Sequence, residues 1–465
     1  MSAFITQIRF PELVEGLPFL RALAKKKGRA STNSAMRWFA FLSFVLTTPA
    51  PAETVAITGG MVAIGDGTAP AQGTVVIRDG RIVAAGSNVA VPAGARTVDA
   101  TGKWVSTGIV AGFSRLGLVG VDAVDETNDT GAGKSVFSAS IDVASAINPR
   151  VPAIAVSRAA GVTRAIVAPD GGGTMFVGEG AVIDTGNDTD AVTKARAFQF
   201  VEFGEAGAGR SGGSRVASQA FFRNALDEAR DYARNPGGYD GRSKDSILMR
   251  RDVAALVPVM QGKMPLYVHV ESGPDILQML ALKKDYPALR LVLVGVAEGW
   301  TVAREIAAAG VPVIASALND LPASFKQLAA TQSNVGRMKA AGVTLAIGMI
   351  DDNDTRQAQQ TPQMAGNLVA LTRVPGATGL SWADAFAAIT SKPAEIAGLG
   401  DQIGSLRPGR RADVVIWSGD PLELATAVEK VWIDGVEQDL TTRQTRLRDR
   451  YLKAGEGALP KAYER

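Results

Sequence analysis

Gly102-Lys103-Trp104-Val105-Ser106-Thr107-Gly108-Ile109-Val110-Ala111-Gly112-Phe113-Ser114-Arg115-Leu116-Gly117-Leu118 is the stretch on which the fold of this 465-residue chain turns. The chain changes character within it. Before it, residues 53–107 are short β-branched runs punctuated by turn signals. After it, apolar runs alternate with amphipathic segments for about 300 residues, the pattern of successive strand and helix units. A domain boundary therefore falls near Gly108.

Upstream, Thr54-Val55-Ala56-Ile57 is followed by Gly59-Gly60, which predicts a turn. Thr74-Val75-Val76-Ile77 and Arg81-Ile82-Val83-Ala84-Ala85 flank Asp79-Gly80, a type I′ hairpin signal because both central residues must take positive φ. Near the other end, Val414-Val415-Ile416-Trp417 and Val431-Trp432-Ile433-Asp434-Gly435-Val436 continue this strand-and-turn character. A small composite β-sandwich built from both chain ends, residues 53–107 with 401–440, is expected, with 441–465 as a C-terminal tail.

Downstream, Thr163 to Val167, Leu266 to Val270, Leu291 to Val294 and Val311 to Ile314 are largely apolar strands, as when both faces are covered. Asp275 to Leu282 and Thr301 to Ala309 carry helical spacing of apolar positions. The alternation makes the class α/β and predicts a (β/α)8 TIM-type barrel over 108–400. A doubly wound open sheet is the alternative, and no glycine fingerprint supports it. Gly131-Ala132-Gly133-Lys134-Ser135 looks like half of a P-loop, but its first glycine position is Asn128. The glycine-rich stretches Gly171-Gly172-Gly173 and Ala206 to Gly213 are read either as pocket-shaping loops or as plain surface loops.

The opening stretch resembles the first barrel strand of the amidohydrolase superfamily, whose pattern runs G-x-x-V-x-P-G-[LI]-[IV]-D-x-H-x-H. Val76 to Gly86 and Ile403 to Trp417 are similar to the two halves of that superfamily's sandwich, and Ala388 to Leu399 to the helix after its eighth strand. Imidazolonepropionase-like and exported dipeptidase-like members are the most similar. The resemblance implies hydrolysis of a carbon–nitrogen bond in a small-molecule amide or peptide-like ligand. It also implies a divalent metal, zinc, held by histidines from strands one, five and six and a carboxylate from strand eight. Neutral imidazoles hold zinc without cancelling its charge, so the metal can acidify a bound water and polarise a carbonyl.

At these positions the chain departs from the pattern. His269 is its single histidine and matches the fifth-strand position. The two first-strand histidine positions hold Phe113 and Arg115, and the sixth-strand position holds Gly295. Phenyl and glycine have no donor atom, and a guanidinium has no lone pair to give. Asp351 and Asp352 are candidates for the eighth-strand carboxylate, Asp351 also as a metal ligand beside His269, with all three as catalytic candidates. Glu202 and Glu205 are candidates from the fourth strand, and Arg115 could hold an anionic ligand where the metal charge is missing. Two readings follow: a hydrolase with a reduced site, or a non-catalytic member that binds a ligand or serves as partner subunit of an active amidohydrolase, as a homo-oligomer or hetero-oligomer.

Composition sets the outer bounds. With 46% hydrophobic and 20% charged residues, the chain can bury a large core. The net charge of +3 and the lack of a basic stripe interleaved with aromatics argue against a nucleic-acid partner. Without cysteine there are no disulfides, thiolate ligands or thiol nucleophiles. Residues 36–52 have a basic start, a short apolar run from Trp38 to Leu46 and an Ala50-Pro51-Ala52 site, the pattern of a signal peptide rather than a membrane span. A periplasmic or secreted protein, with no membrane span in its mature chain, is expected. Translation from Met36 would make residues 1–35 a spurious extension.

Overall fold

The computed structural model describes residues 53–171, 173–239, 246–350 and 357–452. The leader reading at 36–52, the extension before it, Asp351, Asp352 and residues 453–465 lie outside the described residues.

The strands β1 (Val55–Ala63), β2 (Ala71–Arg78), β3 (Arg81–Gly86), β4 (Arg96–Asp99) and β5 (Trp104–Thr107) come first. Then follow β6 (Ile109–Ser114), β7 (Val162–Val167), β8 (Phe176–Asp184), β9 (Val192–Glu202), β10 (Leu266–Val270), β11 (Leu291–Gly295), β12 (Val313–Ala315) and β13 (Leu345–Ile347). The chain returns through β14 (Val414–Trp417), β15 (Val428–Ile433) and β16 (Val436–Glu437).

The first and last groups share one sheet in the order β16-β15-β14-β5-β1-β2-β3, with β4 beside β1. The seam between the two chain ends is the antiparallel pair β5–β14, which sets Val105 opposite Ile416. The sheet wraps a core of Val55, Ile57, Val75, Ile77, Ile82, Val105, Val414, Ile416 and Trp432. Its far edge is tied back, since Gly409 N–H donates to the Ile82 carbonyl at 2.8 Å and Ile82 N–H to the Arg410 carbonyl at 2.9 Å. Asp79 and Gly80 have φ of 53° and 71°, the conformation of the expected type I′ turn. Gly59-Gly60 is not a turn. β1 runs through it with a register shift between Ile57 and Gly60, a bulge that Gly59 permits at φ +77°.

The middle group forms the barrel, ordered β6 to β13. Met349 N–H donates to the Phe113 carbonyl at 3.0 Å, bringing the last strand's end back to the first. Two of the neighbouring pairings depart from a perfect βα repeat: β8 runs antiparallel to both β7 and β9. The reason is connection length. Residues 168–175 and 185–191 are shorter than the roughly ten to twelve residues that a crossover requires, so the chain can only turn back. The remaining neighbours, β6–β7 and β9 through β13, are parallel.

Helices Pro152–Ala159, Gly273–Asp285, Ala303–Ala309 and Asn334–Ala340 supply Ile154, Ile276, Ile306 and Met338 to the layer outside the barrel. Inside it, Phe113, Phe198, Phe200, Tyr267, Val294, Ile314 and Ala346 belong to a second buried cluster. Phe198 stacks on Tyr267 with centroids 4.0 Å apart, and Phe113 packs against Phe200 at 5.4 Å. The barrel axis is thus filled with side chains, and any ligand site must lie above this plug. No helix among the described residues is long and apolar enough to cross a membrane.

Candidate functional site

The C-terminal ends of the barrel strands deliver their side chains to one recess of about 180 Å³. β6 and the residue after it supply Phe113 and Arg115, the loop after β7 supplies Asp170, and β9 supplies Phe200 and Glu202. β10 supplies His269, Ile350 follows β13, Arg210 comes from the end of helix Gly204–Arg210 and Lys326 from the turn Phe325–Gln327. The parallel register sets His269 directly beside Glu202. Both glycine-rich stretches contribute, since Gly171 adjoins Asp170 and the other carries Ala206 and Arg210.

His269 is held on both ring nitrogens. Nδ1–H donates to Glu202 Oε2 at 2.7 Å and Nε2–H donates to Glu271 Oε1 at 2.8 Å. The second oxygen of Glu271 accepts from Ala297 N–H at 2.8 Å, which fixes that carboxylate in place. Two carboxylate acceptors require two N–H donors, so the ring is an imidazolium. Burial alone pulls His269 down, but the charges and hydrogen bonds of Glu202 and Glu271 outweigh it and push the ring up to about 10. Burial likewise raises Glu202, and His269, Arg210 and Lys326 overcome this and hold it well below the usual carboxylate range.

Gly295 explains how Glu271 reaches this place. Its φ is +89°, and a β-carbon there would sit 2.6 Å from Glu271 Oε1 and 2.8 Å from His269 Cδ2. The Glu271 carboxylate therefore fills the space that a side chain on the sixth barrel position would need. Arg115 is buried at the recess wall, and its Nη2 donates to Asp170 Oδ1 at 2.9 Å. The proposed ligand role for Arg115 thus has to share the guanidinium with an internal carboxylate.

Of the residues singled out in the sequence, Phe113, Arg115, Glu202 and His269 meet at the recess. Glu205 does not line it: it is exposed in the first turn of helix Gly204–Arg210, where its charge stays solvated. Asp351 and Asp352 lie outside the described residues. Glu271, Asp170, Arg210 and Lys326 were not singled out. Glu271 could have been found, because it stands two residues from His269 and the strand period puts both on one side. Nothing local marks Arg210 or Lys326, which long-range folding brings in.

The described residues do not fit zinc. Ligation needs a neutral nitrogen with a free lone pair, and both nitrogens of His269 carry protons. Arg115, Arg210 and Lys326 add positive charge where a cation would sit. No group of three or more His, Cys, Asp or Glu side chains suited to a metal ion is present among the described residues.

An amidohydrolase family model matches residues 278–437. The chain is 25% identical to an amidohydrolase, tasK, of Hapsidospora irregularis over 75% of its length, and it spans 38% of that relative's length. It is 24% identical to the imidazolonepropionase of Acidiphilium cryptum (strain JF-5), over 76% of this chain and 89% of that protein. The crystal structure of an amidohydrolase from Thermotoga maritima MSB8 superposes with a TM-score of 0.73 at 24% identity, covering 84% of this chain and 100% of the other. A sandwich drawn from both chain ends and an eight-stranded barrel closing at Phe113 agree with these likenesses: the chain has the fold of that Thermotoga maritima amidohydrolase and is similar in sequence to amidohydrolases.

Proposed function

We propose that this protein binds a small ligand in the recess and does not carry out metal-dependent amide hydrolysis. The observation that supports this is the doubly donated His269. Amide hydrolysis at neutral pH needs an activated water, made by a metal or by a base whose proton affinity suits that pH. His269, pushed up to about 10, already holds its proton. Glu202, held low and bonded to His269, is too weak a base. Among the described residues, what remains is a preformed, charged cavity with an apolar floor of Phe113 and Phe200, which suits retention of a ligand better than its cleavage.

Metal analysis of purified protein, alongside hydrolysis assays on dipeptides and cyclic amides, tests the proposal. We expect zinc far below one per chain, a melting temperature indifferent to chelator, and no turnover. Stoichiometric zinc with chelator-sensitive hydrolysis would sink it. Export belongs to the same proposal and is supported by the leader pattern of residues 36–52. Protein recovered from the periplasm or medium should begin near Glu53; a cytoplasmic chain still carrying residues 1–35 would be the opposite result.

A further inference from the structure

Two cations at the recess act on the His269 clamp through charge alone. Arg210 ends helix Gly204–Arg210 and lies against Gly171, where a β-carbon would meet its guanidinium atoms at 2.1, 2.2 and 2.4 Å. Glycine is therefore what admits this side chain to the wall. Arg210 Nη1 is buried without a hydrogen-bond partner among the described residues. Lys326, from the turn Phe325–Gln327, lines the same space. Arg115 is bonded to Asp170, and His269 lies between Glu202 and Glu271, so those groups already have charged partners, whereas Arg210 brings a donor that does not. A buried donor with no acceptor is costly and is relieved by a ligand oxygen.

We infer that the recess takes a monocarboxylate with a compact apolar body, its carboxylate on Arg210 and Lys326 and its body against Phe113, Phe200 and Ile350. This rests on the binding reading above. Charge favours a monoanion, because a second negative charge would stand beside Glu202 and Asp170, which line the same recess. A planar guanidinium matches the two oxygens of a carboxylate. Size selects a short body: about 180 Å³ equals roughly six waters at about 30 Å³ each, enough for one ring or a branched aliphatic chain.

The test is calorimetric titration of the full chain with benzoate, isovalerate, benzyl alcohol and inorganic phosphate, with metal content measured on the same sample. Benzoate and isovalerate should bind saturably at one site, while the alcohol and phosphate should not. Arg210→Gln and Lys326→Gln, each checked for folding by circular dichroism and melting, should each weaken benzoate by about tenfold or more. Phosphate binding as tight as benzoate, no saturable binding of either acid, or unchanged affinity in both variants would overturn the inference. Metal-free protein that ignores both acids defeats this inference alone, whereas stoichiometric zinc with hydrolysis defeats the binding reading beneath it.

Discussion

At the scale of the residue, His269 is clamped by two carboxylates, Glu202 on Nδ1 and Glu271 on Nε2. Its place at the end of Leu266-Tyr267-Val268 follows from an apolar strand run, but its proton is set by Glu202 from another strand and by Glu271 beyond the strand end. Those partners make its contribution depend on pH with a definite sign. His269 rises from 6.5 to about 10 on folding, so its stabilisation is complete below 6.5 and is lost as pH climbs through about 10. Glu202 falls from 4.5 to about 2, so its stabilisation is complete above 4.5 and is lost as pH falls through about 2. Both contributions are therefore whole between pH 4.5 and 6.5. His269→Ala leaves Glu202 and Glu271 buried without their cation and should cost about 3–5 kcal/mol, the range for breaking a buried ion pair from one side. Urea unfolding across pH checks this: wild type should lose stability between pH 6.5 and 10, and the variant should lose much less there. Equal pH dependence in the two proteins would contradict the clamp.

At the scale of the element, the strands with strong apolar runs were legible, and so was the Asp79-Gly80 hairpin. β8 was not, because its direction is decided by the short loops around it rather than by its own residues. Gly59 was misread for a related reason: a glycine pair permits a bulge as readily as a turn, and the pairing of β1 with β2 selects the bulge. Gly295 at the end of β11 carries the sharper consequence. Sequence alignment alone makes Phe113→His, Arg115→His and Gly295→His a restored metal site. The backbone there has φ +89°, and the added β-carbon collides with Glu271 and His269. The triple variant should therefore bind no zinc, and it should be less stable than the Phe113→His, Arg115→His double variant by at least about 1–3 kcal/mol of backbone strain. Zinc titration followed calorimetrically, with melting curves for both variants, decides it. Stoichiometric zinc in the stable triple variant would show that Glu271 yields readily.

At the scale of the whole molecule, the pairing of the two chain ends was legible because each end carries its own strand-and-turn pattern. The tie between sandwich and barrel was not, since no local pattern announces it. Arg164 on β7 is fully buried, and its Nε and Nη2 donate to Asp413 Oδ2 and Oδ1 at 2.8 and 3.0 Å. Its Nη2 also lies 2.8 Å from Asp434, between β15 and β16. The returning strands therefore hold the barrel as well as completing the first sheet. Two truncations separate these duties from those of the tail. Ending the chain after residue 440 removes helix Arg443–Leu452, which contributes no buried residue. Ending it after residue 402 removes β14 to β16, leaves β5 paired on its β1 side alone, and leaves Arg164 buried without Asp413 and Asp434, with Asp184 at 3.5 Å as its carboxylate. A buried charge that loses most of its partners and an open sheet edge each destabilise, and the edge also invites aggregation. The shorter truncation should stay soluble with a melting temperature near that of the full chain, and the longer one should accumulate as insoluble protein. Equal losses from both would mean that the tail, and not the returning strands, holds the two halves together.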